Sequence, residues 1–218
     1  MNELTLIQKI AVWALPVIFA ITVHEVAHGW AASKFGDQSA RMLGRLTLNP
    51  IKHIDPIGTI VVPLALLMLG GFIFGWAKPV PVNARNFKRP RHDMAWVAMA
   101  GPFSNLIMAI LWAIVIKIGV TIQSSVPEVG LFLTYSGLAG VSINLILLVL
   151  NLLPIPPLDG SHVVSALLSP RLAWQYNRIA PFGFIILIVL MVMGLLTPIL
   201  IGPYTFIQQL IYSLVGLH

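Results

Sequence analysis

The 218-residue sequence contains no cysteine and few charged residues. Without cysteine, the chain has no disulfide, no thiolate metal site and no cysteine nucleophile. Charged residues make up 9% of the sequence and hydrophobic residues 58%, and the mean hydropathy is +0.91. Because soluble domains carry about 25% charged residues, this composition predicts a polytopic membrane protein.

Acidic residues are also scarce, with 7 Asp and Glu against 13 Lys and Arg. The basic residues cluster in short loops between apolar segments, where the positive-inside rule accounts for them. We therefore expect no nucleic-acid partner. The first apolar stretch is about 18 residues long and has no small-residue cleavage site. We expect it to remain in the mature protein rather than to be removed as a signal peptide.

Five or six apolar segments have the length that a bilayer requires. They predict an all-α polytopic fold with five to six transmembrane helices, in a single integral-membrane domain covering residues 1–218. The sequence leaves open whether the last and shortest segment crosses the membrane or lies along its surface. The segments cover about residues 5–23, 57–76, 94–119, 131–153, 181–201 and 203–217.

The segment 57–76 is interrupted by Pro63 and by glycines, which are helix breakers. If it crosses the membrane, the 13 Lys and Arg residues divide eight to five between the two sides. If it re-enters and returns to the side it left, they divide eleven to two. The positive-inside rule favours the re-entrant course, with the polar loops in the cytoplasm and the N-terminus outside.

The motif HEVAH places His24, Glu25 and His28 at the end of the first apolar segment. On a helix the two histidines lie one turn apart and can bind the same metal ion, with the glutamate beside them as a base. A lone match to this five-residue pattern is common by chance. Ionisable residues within or beside a membrane segment are costly, however, and usually functional. The pattern is typical of zinc peptidases.

A catalytic zinc usually has three protein ligands. The longer metzincin pattern is excluded, because Ala31 and Lys34 stand where it has glycine and histidine. Asp159 is the candidate that follows an apolar helix, and a re-entrant 57–76 would bring this helix end to the same side as His28. The other acids and histidines lie mostly in charged loops: Glu3, Asp37, Asp55, Asp93, Glu128, His53, His92, His162 and His218.

Several motifs together resemble the site-2 protease family of intramembrane zinc metalloproteases, in its short prokaryotic form without a PDZ domain. The resemblance covers about residues 20–165, which it implies to be the catalytic core. It is carried by HEVAHG at 24–29, LNPIKHIDPIGT at 48–59, WAKPVPVN at 76–83, AGPFSN at 100–105 and NLLPIPPLDG at 151–160.

The resemblance implies one zinc ion per chain, bound by His24, His28 and Asp159, with Glu25 as the catalytic base. It also implies that Asn151 stabilises the oxyanion or binds the substrate backbone, as its side-chain amide is able to do. A hydrogen bond from Asn151 to another helix is the structural alternative.

Two further motifs allow more than one interpretation. PVPVN at 79–83 is either an edge strand near the active site, able to pair with an unwound substrate, or a returning loop. In AGPFSN, close helix packing is the leading interpretation, and a site role for Asn105 is secondary. His162 is a possible spare ligand.

The expected function is that of an intramembrane zinc endopeptidase of a multi-pass cell-membrane protein, with its active site towards the cytoplasm. It would hydrolyse a peptide bond in or near a transmembrane segment of a membrane protein substrate. The alternatives are a membrane metal transporter and a non-proteolytic binder of transmembrane segments. The sequence does not indicate an oligomeric state.

Overall fold

A computed structural model of the chain describes residues 4–61 and 78–217. The structure is 77% helical and contains no strand within these residues, which confirms the all-α fold. Three 3₁₀ turns, Pro50–His53, Ala84–Asn86 and Ala180–Phe182, and a π turn, Pro56–Val61, lie between the helices. The α-helices are α1 Leu6–Lys34, α2 Ser39–Met42, α3 Pro90–Ile122, α4 Pro127–Asn151, α5 Asp159–Leu167, α6 Pro170–Asn177, α7 Gly183–Val192 and α8 Leu196–Val215.

Five helical stretches in the described part of the chain are long and apolar enough to cross a membrane. The fourth stretch combines α6, the following 3₁₀ turn and α7. The chain is therefore a multi-pass membrane protein, as predicted. The stretches are Ile7–Lys34, Pro90–Ile122, Pro127–Asn151, Pro170–Val192 and Leu196–Val215.

The break between the last two stretches lies at Gly194, so the predicted division into 181–201 and 203–217 was wrong. Gly194 adopts a left-handed conformation with φ 70°, and its N–H donates to the Met191 carbonyl at 2.9 Å. The Leu195 N–H donates to the Leu190 carbonyl at 2.8 Å, which completes a helix-ending motif. Pro203 instead lies inside α8, because membrane helices tolerate proline where neighbouring groups satisfy the backbone.

Helix α3 is the centre of the bundle and packs against α1, α4, α5 and α8. Small residues allow this close approach. A Cβ at Gly140 of α4 would lie 2.6 Å from Cδ1 of Trp112 of α3, so only glycine fits there. A buried apolar cluster joins α3, α4 and α8; it consists of Ala109, Ala113, Ile116, Val141, Leu145, Leu148 and Ile211.

The loops on either side of the 57–76 segment meet at one end of the bundle. The Lys78 N–H donates to the His53 carbonyl at 2.9 Å, and the Asn83 N–H donates to Asp37 Oδ2 at 2.7 Å. The segment 57–76 was predicted to be re-entrant, but its residues 62–76 are not among the residues that the structure describes. These contacts bring the loops before and after the segment together at one end of the bundle, and the re-entrant course itself stays a prediction.

The third polar loop joins this end through Arg91, at the start of α3. Its Nη2 atom donates to the Ser165 and Leu168 carbonyls at the end of α5. The segment 78–83 belongs to no helix or strand. Of the two interpretations of PVPVN, residues 78–83 therefore form the loop and not the edge strand. Pro79 and Pro81 lack the N–H groups that a ladder needs.

Candidate metal centre

Helix α1 places His24 and His28 on the same face. The helix continues beyond the apolar stretch to Lys34, so both histidines lie within regular helix. Their Nε2 atoms are 3.0 Å apart. His24 is the more buried of the two, with 7% of its surface exposed. The one-turn spacing therefore presents two imidazole nitrogens to the same point.

Asp159 approaches this point from α5, of which it is the first residue. Its Oδ2 atom lies 3.3 Å from Nε2 of His24 and 3.3 Å from Nε2 of His28. The ligand atoms of these three residues all lie within 4.8 Å of one another. Among the described residues, this is the only group of three or more His, Cys, Asp or Glu side chains that could hold a metal ion.

The hydrogen bonds around the two imidazoles determine which nitrogens face the centre. Nδ1 of His24 is 2.6 Å from Asn105 Oδ1, and Nδ1 of His28 is 2.8 Å from the Val97 carbonyl oxygen. Both partners are acceptors, so each Nδ1 carries the proton and donates. Each Nε2 then directs a lone pair towards the other histidine and towards Asp159.

This arrangement fits a zinc ion. Oδ2 of Asp159 is buried and accepts no hydrogen bond from residues 4–61 and 78–217. Three lone pairs therefore converge with no donor between them, which is unfavourable unless a cation binds there. Ligand atoms of a tetrahedral zinc lie about 3.3 Å apart, given bond lengths of about 2.0–2.1 Å. The observed separations of 3.0–3.3 Å agree with that geometry.

Asp159 supplies a carboxylate oxygen, a ligand type that zinc binds at about 2.0–2.2 Å. His162, one turn further along α5, is not part of the cluster. Burial lowers the pKa of His162 below its ordinary value, so it is neutral near pH 7. The predicted spare ligand therefore lies nearby but outside the three-residue group.

Glu25 lines the same cavity of about 530 Å³ as His24, His28 and Asp159. Oε2 of Glu25 accepts a hydrogen bond from the Val80 N–H at 2.7 Å, so the 78–83 loop fixes this carboxylate. A Cβ at Gly29 would lie 2.7 Å from Cγ1 of Val80. Glycine after the second histidine thus allows the loop to approach α1 and cover the site.

Asn151 lies at the end of α4 on the wall of the same cavity. Its Nδ2 atom donates to the Leu147 carbonyl one turn earlier, at 2.9 Å. The side chain is therefore held by its own helix, and the hydrogen bond to another helix that the sequence allowed is not found in the described structure. The amide retains a second N–H for another acceptor.

Gly101 and Asn105 lie next to the two histidines. The sequence had favoured helix packing for their motif and gave a site role for Asn105 only second place. A Cβ at Gly101 would lie 2.5 Å from Cε1 of His28 and 2.6 Å from Cε1 of His24. Asn105, one turn further along α3, is fully buried and contacts His24. The motif AGPFSN thus serves both packing and the site. The four-residue spacing, which places the glycine and asparagine on one helix face, was the signal available.

Fold and site together define the class of the protein. Membrane-length helices enclose two histidines and a carboxylate with the separations of zinc ligands, and a glutamate lies in the same cavity. This is a membrane-embedded metalloprotein with the residue set of a hydrolase.

Comparison with known proteins identifies the family. Residues 12–194 match the profile of "Peptidase family M50". The chain is 41% identical to "Putative zinc metalloprotease YwhC" of Bacillus subtilis over 182 residues, which are 82% of this chain and 78% of that protein. It is 32% identical to "Putative zinc metalloprotease Rip2" of Mycolicibacterium smegmatis over 176 residues, which are 80% of this chain and 64% of that protein. No solved structure matches.

The chain therefore belongs to peptidase family M50, the site-2 proteases. These are intramembrane zinc metalloproteases, which confirms the predicted zinc and the predicted protease function. The family relationship supports that function over a metal transporter or a non-proteolytic binder. Membrane proteins in the bilayer are the substrate class that the family implies.

Proposed function

We propose that this chain is a site-2-type endopeptidase of the HExxH kind, with His24, His28 and Asp159 as the zinc ligands and Glu25 as the catalytic base. It hydrolyses a peptide bond in or near a transmembrane segment of its substrate. The observation that carries this proposal is the convergence of three possible ligand atoms within 4.8 Å, in the same cavity as Glu25.

Glu25 is placed to move a proton. Zinc, when bound, supplies Lewis-acid activation of water and of the peptide carbonyl. The Val80 N–H occupies Oε2 of Glu25 and holds the carboxylate in place, so Oε1 remains for the proton. Glu25 takes this proton from the attacking water and returns it to the leaving amine. Proton transfer by such a group contributes about 10²–10⁴-fold to the rate.

Asn151 supplies the neutral donor of the site. Its Leu147 contact uses one N–H of the side-chain amide and fixes its orientation at the cavity wall. The other N–H donates to the developing oxyanion or to the substrate backbone. A donor of this kind contributes about 3 kcal/mol to transition-state stabilisation. A helical substrate segment must unwind first, since its carbonyls are otherwise occupied by the helix.

The catalytic centre faces the cytoplasm in this proposal. The polar loops that meet beside the site carry most of the Lys and Arg residues of the chain, which is the pattern of cytoplasmic loops. Residues 1–218 form one integral-membrane domain, and its catalytic core covers about residues 20–165. Water reaches the cavity from this polar end, so a water-consuming reaction is compatible with a site inside a helix bundle.

The test uses purified, zinc-loaded protein in detergent or lipid and a set of single-pass reporter substrates. Glu25→Gln is expected to lower cleavage by at least about 100-fold while one zinc per chain remains bound. Asp159→Asn is expected to lose zinc as well as cleavage. Glu128→Gln is a matched control, because Glu128 is exposed at the other end of α4. Wild-type cleavage by Glu25→Gln, or no cleavage of any reporter by zinc-loaded wild type, would contradict the proposal.

A further inference from the structure

We infer that Asn105 and Asn144 form a polarised pair of buried amides that sets the tautomer and ring orientation of His24. Asn144 is then a positioning residue of the metal centre, although it touches none of the three ligands. The inference rests on the proposed role of His24 as a ligand and adds the residues that prepare it.

Asn105 has one side-chain orientation that satisfies its neighbours. Its Oδ1 atom is 2.6 Å from His24 Nδ1, and its Nδ2 atom donates to the Ala20 carbonyl at 3.2 Å and to Asn144 Oδ1 at 2.9 Å. In the reversed orientation Oδ1 would face these two oxygen acceptors. The network therefore fixes Asn105 Oδ1 as the acceptor for His24.

Asn144 fixes the far end of the pair. Its Nδ2 atom donates to the Gly140 carbonyl at 2.8 Å, which leaves Oδ1 to accept from Asn105. Every hydrogen bond from His24 through Asn105 and Asn144 to Gly140 then points in the same direction. Hydrogen bonds aligned in this way polarise and strengthen one another. The Gly140 carbonyl thus helps to determine which nitrogen of His24 is protonated.

The pair lies where water does not compete. Asn105, Asn144 and Ala20 are each 0% exposed, at the point where α1, α3 and α4 cross. A buried amide without its hydrogen-bond partner raises the free energy of the folded state. Any rearrangement that leaves Asn105 or Asn144 unpaired is therefore unfavourable. A buried pair of this kind is therefore able to hold His24 in one state.

The two histidines are prepared in different ways. Nδ1 of His28 bonds to the backbone carbonyl of Val97, which no side-chain substitution removes. Nδ1 of His24 instead bonds to a side chain, Asn105, which Asn144 and the Ala20 carbonyl hold in place. Loss of an outer partner of a metal ligand typically lowers metal affinity about 10–100-fold. Changes at Asn144 should therefore weaken zinc binding through one ligand without abolishing it.

The experiment measures zinc affinity by chelator competition and the visible absorption spectrum of the cobalt(II)-substituted protein. Asn144→Leu removes the acceptor of Asn105 at similar volume, and we expect an affinity loss of about 10-fold or more with an altered cobalt spectrum. Asn144→Asp retains an acceptor for Asn105, and we expect affinity and spectrum close to wild type. If Asn144 only filled space, the order would be reversed, because leucine is better tolerated in the membrane than a buried carboxyl group.

Two controls separate this inference from the proposed metal site. Ser136→Ala removes another buried polar group of α4, whose Oγ has no hydrogen-bond partner within the described structure, and should leave zinc affinity unchanged. Equal zinc binding by wild type and His24→Ala would overturn the metal site itself. Zinc loss in His24→Ala together with wild-type affinity in Asn144→Leu would overturn the inference alone. If the leucine variant does not fold, Asn144→Ala removes the same acceptor and carries the same expectation.

Discussion

The helices that carry the site differ from the two C-terminal helices in how closely they pack against the rest of the bundle. In the most apolar 18-residue stretch of α4, half of the residues are buried within the bundle. In the corresponding stretch of α8, only 6% are buried. The crossing of α1, α3 and α4 contains fully buried Asn105 and Asn144. Helices α7 and α8 expose large apolar side chains such as Phe206 and Leu214. Ligand positioning therefore depends on close contacts in the first region, while the second region requires mainly apolar surface for lipid.

Gly101→Ala tests this comparison most strongly. The added methyl group would press on both imidazoles, 2.5 Å from His28 Cε1 and 2.6 Å from His24 Cε1. Because both histidines would have to move, we expect zinc affinity and peptide cleavage to fall by about 100-fold or more. Zinc competition and reporter cleavage measure these effects. Wild-type zinc affinity and wild-type cleavage would contradict this expectation. They would mean that α1 and α3 can move apart to accept the methyl group without displacing the histidines.

The close contact of Gly101 with the two histidines could not be predicted from the sequence, whereas part of the site could. The positions of His24, Glu25 and His28 follow from spacing along one helix, which local sequence determines. The contacts of Gly101 and Asn105 depend on the rotation of α3 against α1, which no local pattern records. The end of α7 was misplaced for a related reason. Pro203 is an obvious helix breaker, but the left-handed conformation of Gly194 ends the helix.

Asp37→Asn is expected to have an intermediate effect, on the loop that covers the site. Burial alone would raise the pKa of Asp37, but hydrogen bonds from the Asn83 N–H, the Ser39 hydroxyl and the Asn86 amide hold the pKa below its ordinary value of 3.8. The resulting stabilisation is fully present above pH 3.8 and is lost as the pH falls through the lower native pKa. At neutral pH, Asp37 therefore fixes the loop that supplies the Val80 N–H to Glu25.

Hydrogen exchange of the Asn83 amide measures this anchoring. Loss of a charged acceptor costs about 1.5–3 kcal/mol, so we expect exchange in Asp37→Asn to be at least about 10-fold faster than in wild type at pH 7. The difference should shrink as the pH falls below 3.8, because wild type then loses the same charge. Cleavage should fall by less than in Gly101→Ala, since His24, His28 and Asp159 do not move. A difference in exchange that grows on acidification would contradict the assigned role of Asp37.

Gly202→Ala makes the chemical change of Gly101→Ala in the other region and is expected to have the smallest effect. A Cβ at Gly202 would meet nothing within 4 Å among the described residues, so the methyl group would project from α8 without a clash. Alanine favours helix over glycine by about 1 kcal/mol, and unchanged zinc binding and cleavage with equal or slightly raised thermal stability are expected. A loss of cleavage with zinc binding intact would instead mean that this face of α8 contacts the substrate. The C-terminal helices would then contribute to substrate recognition as well as facing lipid.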